Sequence, residues 1–121
     1  MAPPLKLFLF NTDPDEGRAS LAAGIDGFVV DWEYADKERR QDGFDTEINR
    51  DTPDDLARMA NLGAPRLFCR INRSGPHLDQ EVEQAVENGA TDILLPMVKD
   101  AEEVDRFCQV VDGRARPGIL V

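Results

Sequence analysis

Apolar residues along this chain fall into five short, nearly continuous runs, at positions 5–10, 27–33, 66–72, 92–98 and 117–121. A strand with one wet face alternates, whereas a strand covered on both faces does not, so these runs predict a parallel sheet. Between them the apolar positions change period. Leu56, Met59, Ala60 and Gly63 are spaced i, i+3, i+4, i+7, as are Val82, Ala85, Val86 and Gly89, and Val104, Phe107, Cys108 and Val111. Each set makes one stripe that a helix can lay on a sheet.

Helix starts are marked as well. Asp13-Pro14-Asp15-Glu16 combines a capping acid, a proline at the first helical position and an acid three residues after the cap. Thr52-Pro53-Asp54-Asp55 repeats that arrangement, and Asp100 with Glu103 is a weaker version. Gly24 and Gly89 stand where helices give way to strands, and each is placed to adopt the left-handed conformation that ends a helix. One interval breaks the rhythm. Residues 34–51 are polar and too numerous for a plain strand-to-helix loop, which predicts a short helix or a functional loop there.

Repeated β-α units fit two architectures, a complete five-stranded doubly wound domain and the first part of an eight-stranded barrel. A doubly wound domain needs a helix after its fifth strand to cover the sheet. This chain stops inside the run Gly118-Ile119-Leu120-Val121. The expectation is therefore an α/β single domain over residues 1–121, the N-terminal part of a TIM (β/α)8 barrel truncated within its fifth strand.

Composition narrows the partners. The chain has 121 residues, 41% hydrophobic and 31% charged, which describes a globular domain rather than a disordered tail. Acids outnumber bases 24 to 14, for a formal charge of −10. Such a surface repels phosphate backbones and anionic lipid, so neither nucleic acid nor membrane is expected as a partner. No run reaches membrane-spanning length and the N-terminus carries no secretory pattern, which makes the expected address cytoplasmic. Cys69 and Cys108 lack metal-type spacing and read as reduced core thiols. His77, the only histidine, reads as a surface residue.

Chemistry is expected at the downstream strand ends. The second run ends in Asp31-Trp32-Glu33 and the third in Arg70-Ile71-Asn72. Loops at that end of a parallel sheet converge on one surface, in barrels and open sheets alike. An arginine there can hold an oxyanion through two parallel hydrogen bonds, or can pair with Asp31 or Glu33, and the two roles are compatible.

These residues resemble a known family. Gly24 through Glu33 is similar to the second strand of the HpcH/HpaI aldolase and citrate lyase β-subunit family. Asp45-Thr46-Glu47-Ile48-Asn49 and Thr52-Pro53-Asp54-Asp55-Leu56 are similar to the segment after that strand. Cys69-Arg70-Ile71-Asn72 resembles its third strand, Gly89 through Val98 its fourth, and Gly118-Ile119-Leu120-Val121 the start of its fifth. The resemblance implies a barrel lyase or aldolase that cleaves or forms carbon–carbon bonds in 2-oxo acids or acyl-CoA thioesters. A divalent ion, magnesium or manganese, would stabilise the enolate. It implies that Arg70 is catalytic and that Asp31, Glu33 and Asn72 orient substrate or tune the site from just outside it. A homo-oligomer is expected.

Three departures stand out. Tyr34 occupies the place of a histidine in the oxo-acid aldolases, and Met97 that of a lysine in citrate lyase-type relatives. The family's metal ligands, a glutamate ending the fifth strand and an aspartate after the sixth, fall beyond the last residue here. Two other functions remain in view. One is a non-catalytic half-barrel that pairs with another chain. The other is an acidic doubly wound regulatory domain, for which Asn11, Thr12 and Asp13 make only a loose acid cluster.

Overall fold

A computed structural model describes residues 5–32, 51–72 and 74–120. Strands β1 (Phe8–Phe10), β2 (Gly27–Asp31), β3 (Arg66–Arg70), β4 (Asp92–Leu95) and β5 (Arg116–Ile119) alternate with helices α1 (Pro14–Ala22), α2 (Pro53–Ala60), α3 (Leu78–Glu87) and α4 (Ala101–Val111). β2, β3 and β4 end before their apolar runs do, whereas β1 ends with its run and starts three residues into it.

All five strands are parallel, in the order β1-β2-β3-β4-β5. A doubly wound sheet starts in its middle and reverses direction once; this one never reverses. Parallel crossovers are right-handed, so unbroken order puts every helix on one face of the sheet. Successive helices accordingly touch one another. The doubly wound alternative loses its basis.

The cap reading holds in detail. Asp13 accepts from the N–H groups of Asp15 and Glu16, and Thr52 and Asp55 form a reciprocal capping box. Asp100 accepts from the Glu103 N–H at 2.9 Å, while Glu103 reaches back to the Lys99 N–H instead of closing a box. Gly24 and Gly89 take φ of 105° and 102° as expected.

One core lies between sheet and helices. Phe28, Val30 and Trp32 of β2 and its end, Leu67, Cys69 and Ile71 along β3, and Ile93 and Leu95 of β4 point into it. Leu56, Met59, Leu78, Val82, Ala85, Phe107 and Val111 meet them from the helices. Cys108 departs from the core reading, being exposed. Its stripe-mates Phe107 and Val111 are buried. Cys108 lies on the flank of the stripe, where no further helix packs among the described residues. No helix among them is long and apolar enough to cross a membrane.

Candidate active site at the C-terminal strand ends

Alternation along each strand sends the other residues to the face away from the helices. Phe8 and Phe68 meet there edge to face, with ring centres 4.6 Å apart. Two arginines of β3 share that face, four residues and so about 13 Å apart along the strand. Each is gripped by an aspartate of a neighbouring strand.

The lower pair sits where strands begin. Arg66 donates from Nε and Nη2 to Asp92 Oδ1 and Oδ2 at 3.2 and 2.5 Å, and its guanidinium lies over both Phe8 and Phe68. Thr91 Oγ1 donates to Asp92 at 2.7 Å, and the bond to Asp92 raises the Arg66 pKa. At the N-terminal end of the sheet this pair stabilises the fold.

The upper pair sits where strands end. Asp31 and Arg70 are direct neighbours in the β2–β3 register. Arg70 donates from Nε to Asp31 Oδ1 at 3.1 Å and from Nη2 to Oδ2 at 2.6 Å. The Asp31 side chain is 2% exposed and that of Arg70 20%. A two-point pair fixes the guanidinium plane as well as its charge. Phe10 lies under that plane, 5.3 Å from ring centre to guanidinium carbon. The backbone is equally fixed, since the Trp32 N–H donates to Arg70 O and the Ile71 N–H to Leu94 O. The result is an oriented cation with a fifth of its side chain accessible.

Asn72 is engaged by α3: its Nδ2 donates to Glu81 Oε1 at 2.6 Å and its backbone N–H to the same oxygen. Glu33, Tyr34 and the 45–49 segment lie outside the described residues. Met97, one residue past Pro96 at the same end of the sheet, is exposed and takes a left-handed backbone with φ 56°. Non-glycine residues in that region are uncommon and cluster where a chain is shaped for function. His77 is exposed at the start of α3 and makes no side-chain cap.

Cys69 is fully buried behind Arg70, and burial, with the charges of Glu81, Asp31 and Asp51, pushes its thiol pKa well up. It is no nucleophile at neutral pH. Among the described residues no three His, Cys, Asp or Glu side chains gather to hold a metal ion. Asp31, at the downstream end of β2, accepts from Arg70 with both oxygens. These residues by themselves do not fit a divalent-metal cage.

Two features escaped the sequence reading. The Arg66–Asp92 pair was signalled only by a charge at the start of each apolar run. Asp51 accepts from the Asp31 N–H at 2.9 Å, and its only signal was its place before the Thr52 cap.

Fold and site together define a singly wound parallel α/β unit with an oriented arginine at its C-terminal mouth. No family model matches the chain. No curated protein matches it. Among solved structures, citrate synthase SbnG is similar over 87% of this chain and 37% of its own, with a TM-score of 0.61 and 21% identity. A variant of SbnG is similar over 93% of this chain and 43% of its own, with a TM-score of 0.56 and 18% identity. At such identity the likeness is one of fold. The chain spans less than half the length of the structures it matches.

Proposed function

We propose that this chain is the N-terminal arc of a (β/α)8-barrel enzyme that makes or breaks carbon–carbon bonds, a lyase or aldolase of the citrate lyase-like kind. The observation that carries the reading is the Arg70–Asp31 clamp at the C-terminal mouth. Barrel enzymes keep their chemistry at that end, and packing alone rarely needs an arginine there. The unbroken strand order and the fold shared with citrate synthase SbnG support it.

In this reading the substrate is a 2-oxo acid or an acyl-CoA thioester. Cleavage or condensation next to its carbonyl passes through an enolate, whose oxygen carries the developing charge. A guanidinium already held in plane meets that charge without reorganising, which is how fixed donors lower a barrier. Asp31 holds Arg70 so that it is in place before substrate arrives, and Phe10 keeps one guanidinium face out of water. The magnesium or manganese ion implied by the family resemblance would supply Lewis acidity, with ligands drawn from outside the described residues.

The test is an assay of the full-length enzyme against oxaloacetate, pyruvate with short aldehydes, and acetyl-CoA. Turnover of one of these, lost in Arg70→Ala with the fold intact, is the expected result. Full turnover in Arg70→Ala would remove the clamp from the reaction.

A further inference from the structure

We propose that Asp51 is a positioning residue for the Arg70–Asp31 clamp; the inference deepens the functional reading above and rests on it. Among the described residues, strand pairing on one side of β2 stops short of the clamp. β1 pairs with β2 only as far as Phe10 and Val29. Successive N–H groups of a central strand point alternately to its two neighbours. The Trp32 N–H donates to Arg70 O on the β3 side, so that of Asp31 points to the β1 side, past the last β1 pairing. Asp51 Oδ2 fills that place at 2.9 Å.

A carboxylate does this better than a strand carbonyl, because a charged acceptor makes the stronger hydrogen bond. It is also rigidly mounted. The next residue, Thr52, is locked in the capping box that starts α2, and α2 is anchored by the fully buried Leu56 and Met59. The chain of restraint runs from the helix core through Thr52 and Asp51 to the Asp31 backbone. From there it reaches the Asp31 carboxylate and the plane of Arg70. The Asp51 charge is felt at this depth, since it contributes to the raised thiol pKa of Cys69. Without Asp51 the Asp31 N–H loses this acceptor on the β1 side, and the Asp31 side chain loses its fixed direction.

The experiment uses nitrogen-15 NMR of the Arg70 Nε–Hε group together with calorimetric binding of pyruvate, the simplest 2-oxo acid. In Asp51→Ala the Hε exchange should quicken roughly tenfold, the scale of one hydrogen bond to a charged group, and pyruvate affinity should fall with it. Asp51→Asn keeps an acceptor oxygen without the charge and should restore both in part. Unchanged Hε exchange in Asp51→Ala overturns the proposal, whatever happens to pyruvate. If Asp51→Ala does not fold, Asp51→Ser serves, since its hydroxyl is polar but does not reach the Asp31 N–H. In the wild type, fast exchange of the Asp31 amide also overturns it. Failure of the functional reading looks different: Arg70→Ala then binds pyruvate as well as the wild type, while the Hε response still decides the role of Asp51.

Discussion

The Asp31 carboxylate holds the Arg70 guanidinium at two points, 3.1 and 2.6 Å, across the ends of adjacent parallel strands. Removing either partner leaves a charge uncompensated, and the Asp31 carboxylate, the more deeply buried of the two, is the costlier one to strand. Asp31→Ala strands a guanidinium beside the core and should cost about 3 kcal/mol of stability in urea unfolding, the low end for breaking a buried pair. On the proposed reading, Arg70→Ala should lower kcat by about two orders of magnitude, as for loss of an electrostatic donor. Arg70→Lys keeps the charge but not the planar fork and should recover little of it. Turnover of Arg70→Ala within about threefold of wild type would count against a catalytic role.

That pair was half legible in the sequence. Charges ending two apolar runs named Asp31 and Arg70, and left open whether the arginine serves an oxyanion or its neighbour. The register shows the pairing with Asp31, which is compatible with both. Caps at Asp13, Thr52 and Asp100 could be read because a cap is local, written within four residues. Arg66–Asp92 and Asp51–Asp31 could not. The first depends on how two strands align, the second on where a long excursion returns. Neither quantity is carried by periodicity. Cys108 was misread for a related reason: a stripe says which side of a helix is apolar, not how wide its neighbours make the buried zone.

The two cysteines should therefore separate by reactivity. Cys108 is exposed and Cys69 buried with its thiol pKa raised, chiefly by burial. Iodoacetamide at pH 8 should modify Cys108 in the native protein and Cys69 only after unfolding. Stability should depend on pH in the same sense. A folded pKa above the unfolded value, about 8.5, leaves stability intact below that pH. Above it the unfolded chain loses the proton first, so stability falls as pH climbs towards the folded value. Thermal melts of a Cys69→Ala variant, less stable at neutral pH, should show a shallower decline between about pH 8 and 10. Equal labelling of both thiols in the native state would contradict the burial argument.

Magnesium or manganese added to residues 1–121 should bind weakly. Hard cations want about six oxygens, and the described residues bring no three acids together. Both oxygens of Asp31 are already occupied by Arg70, so recruiting them means breaking the clamp. Calorimetric titration checks this, with the Arg70 Nε–Hε signal as a second reading. A one-to-one site of micromolar affinity would move the metal centre into this part of the protein.

Expressed as residues 1–121, the chain should self-associate through its sheet edges. Among the described residues β1 pairs only with β2, and β5 only with β4. Leu7, Leu9 and Phe10 are exposed along one edge, and Ile119 and Leu120 along the other. Unpaired apolar edges recruit other strands, and parallel β5-to-β1 contact between copies would cover both. The formal charge of −10 opposes association, but at physiological salt it is screened beyond about 8 Å, less than the width of a strand pair with its side chains. Sedimentation velocity should show a mass that rises with concentration. Leu9→Lys combined with Ile119→Lys, a charge on each edge, should return the chain to a monomer without touching Asp31 or Arg70. A wild-type chain that sediments as a monomer at every concentration would show that the edges are protected by something other than a second copy.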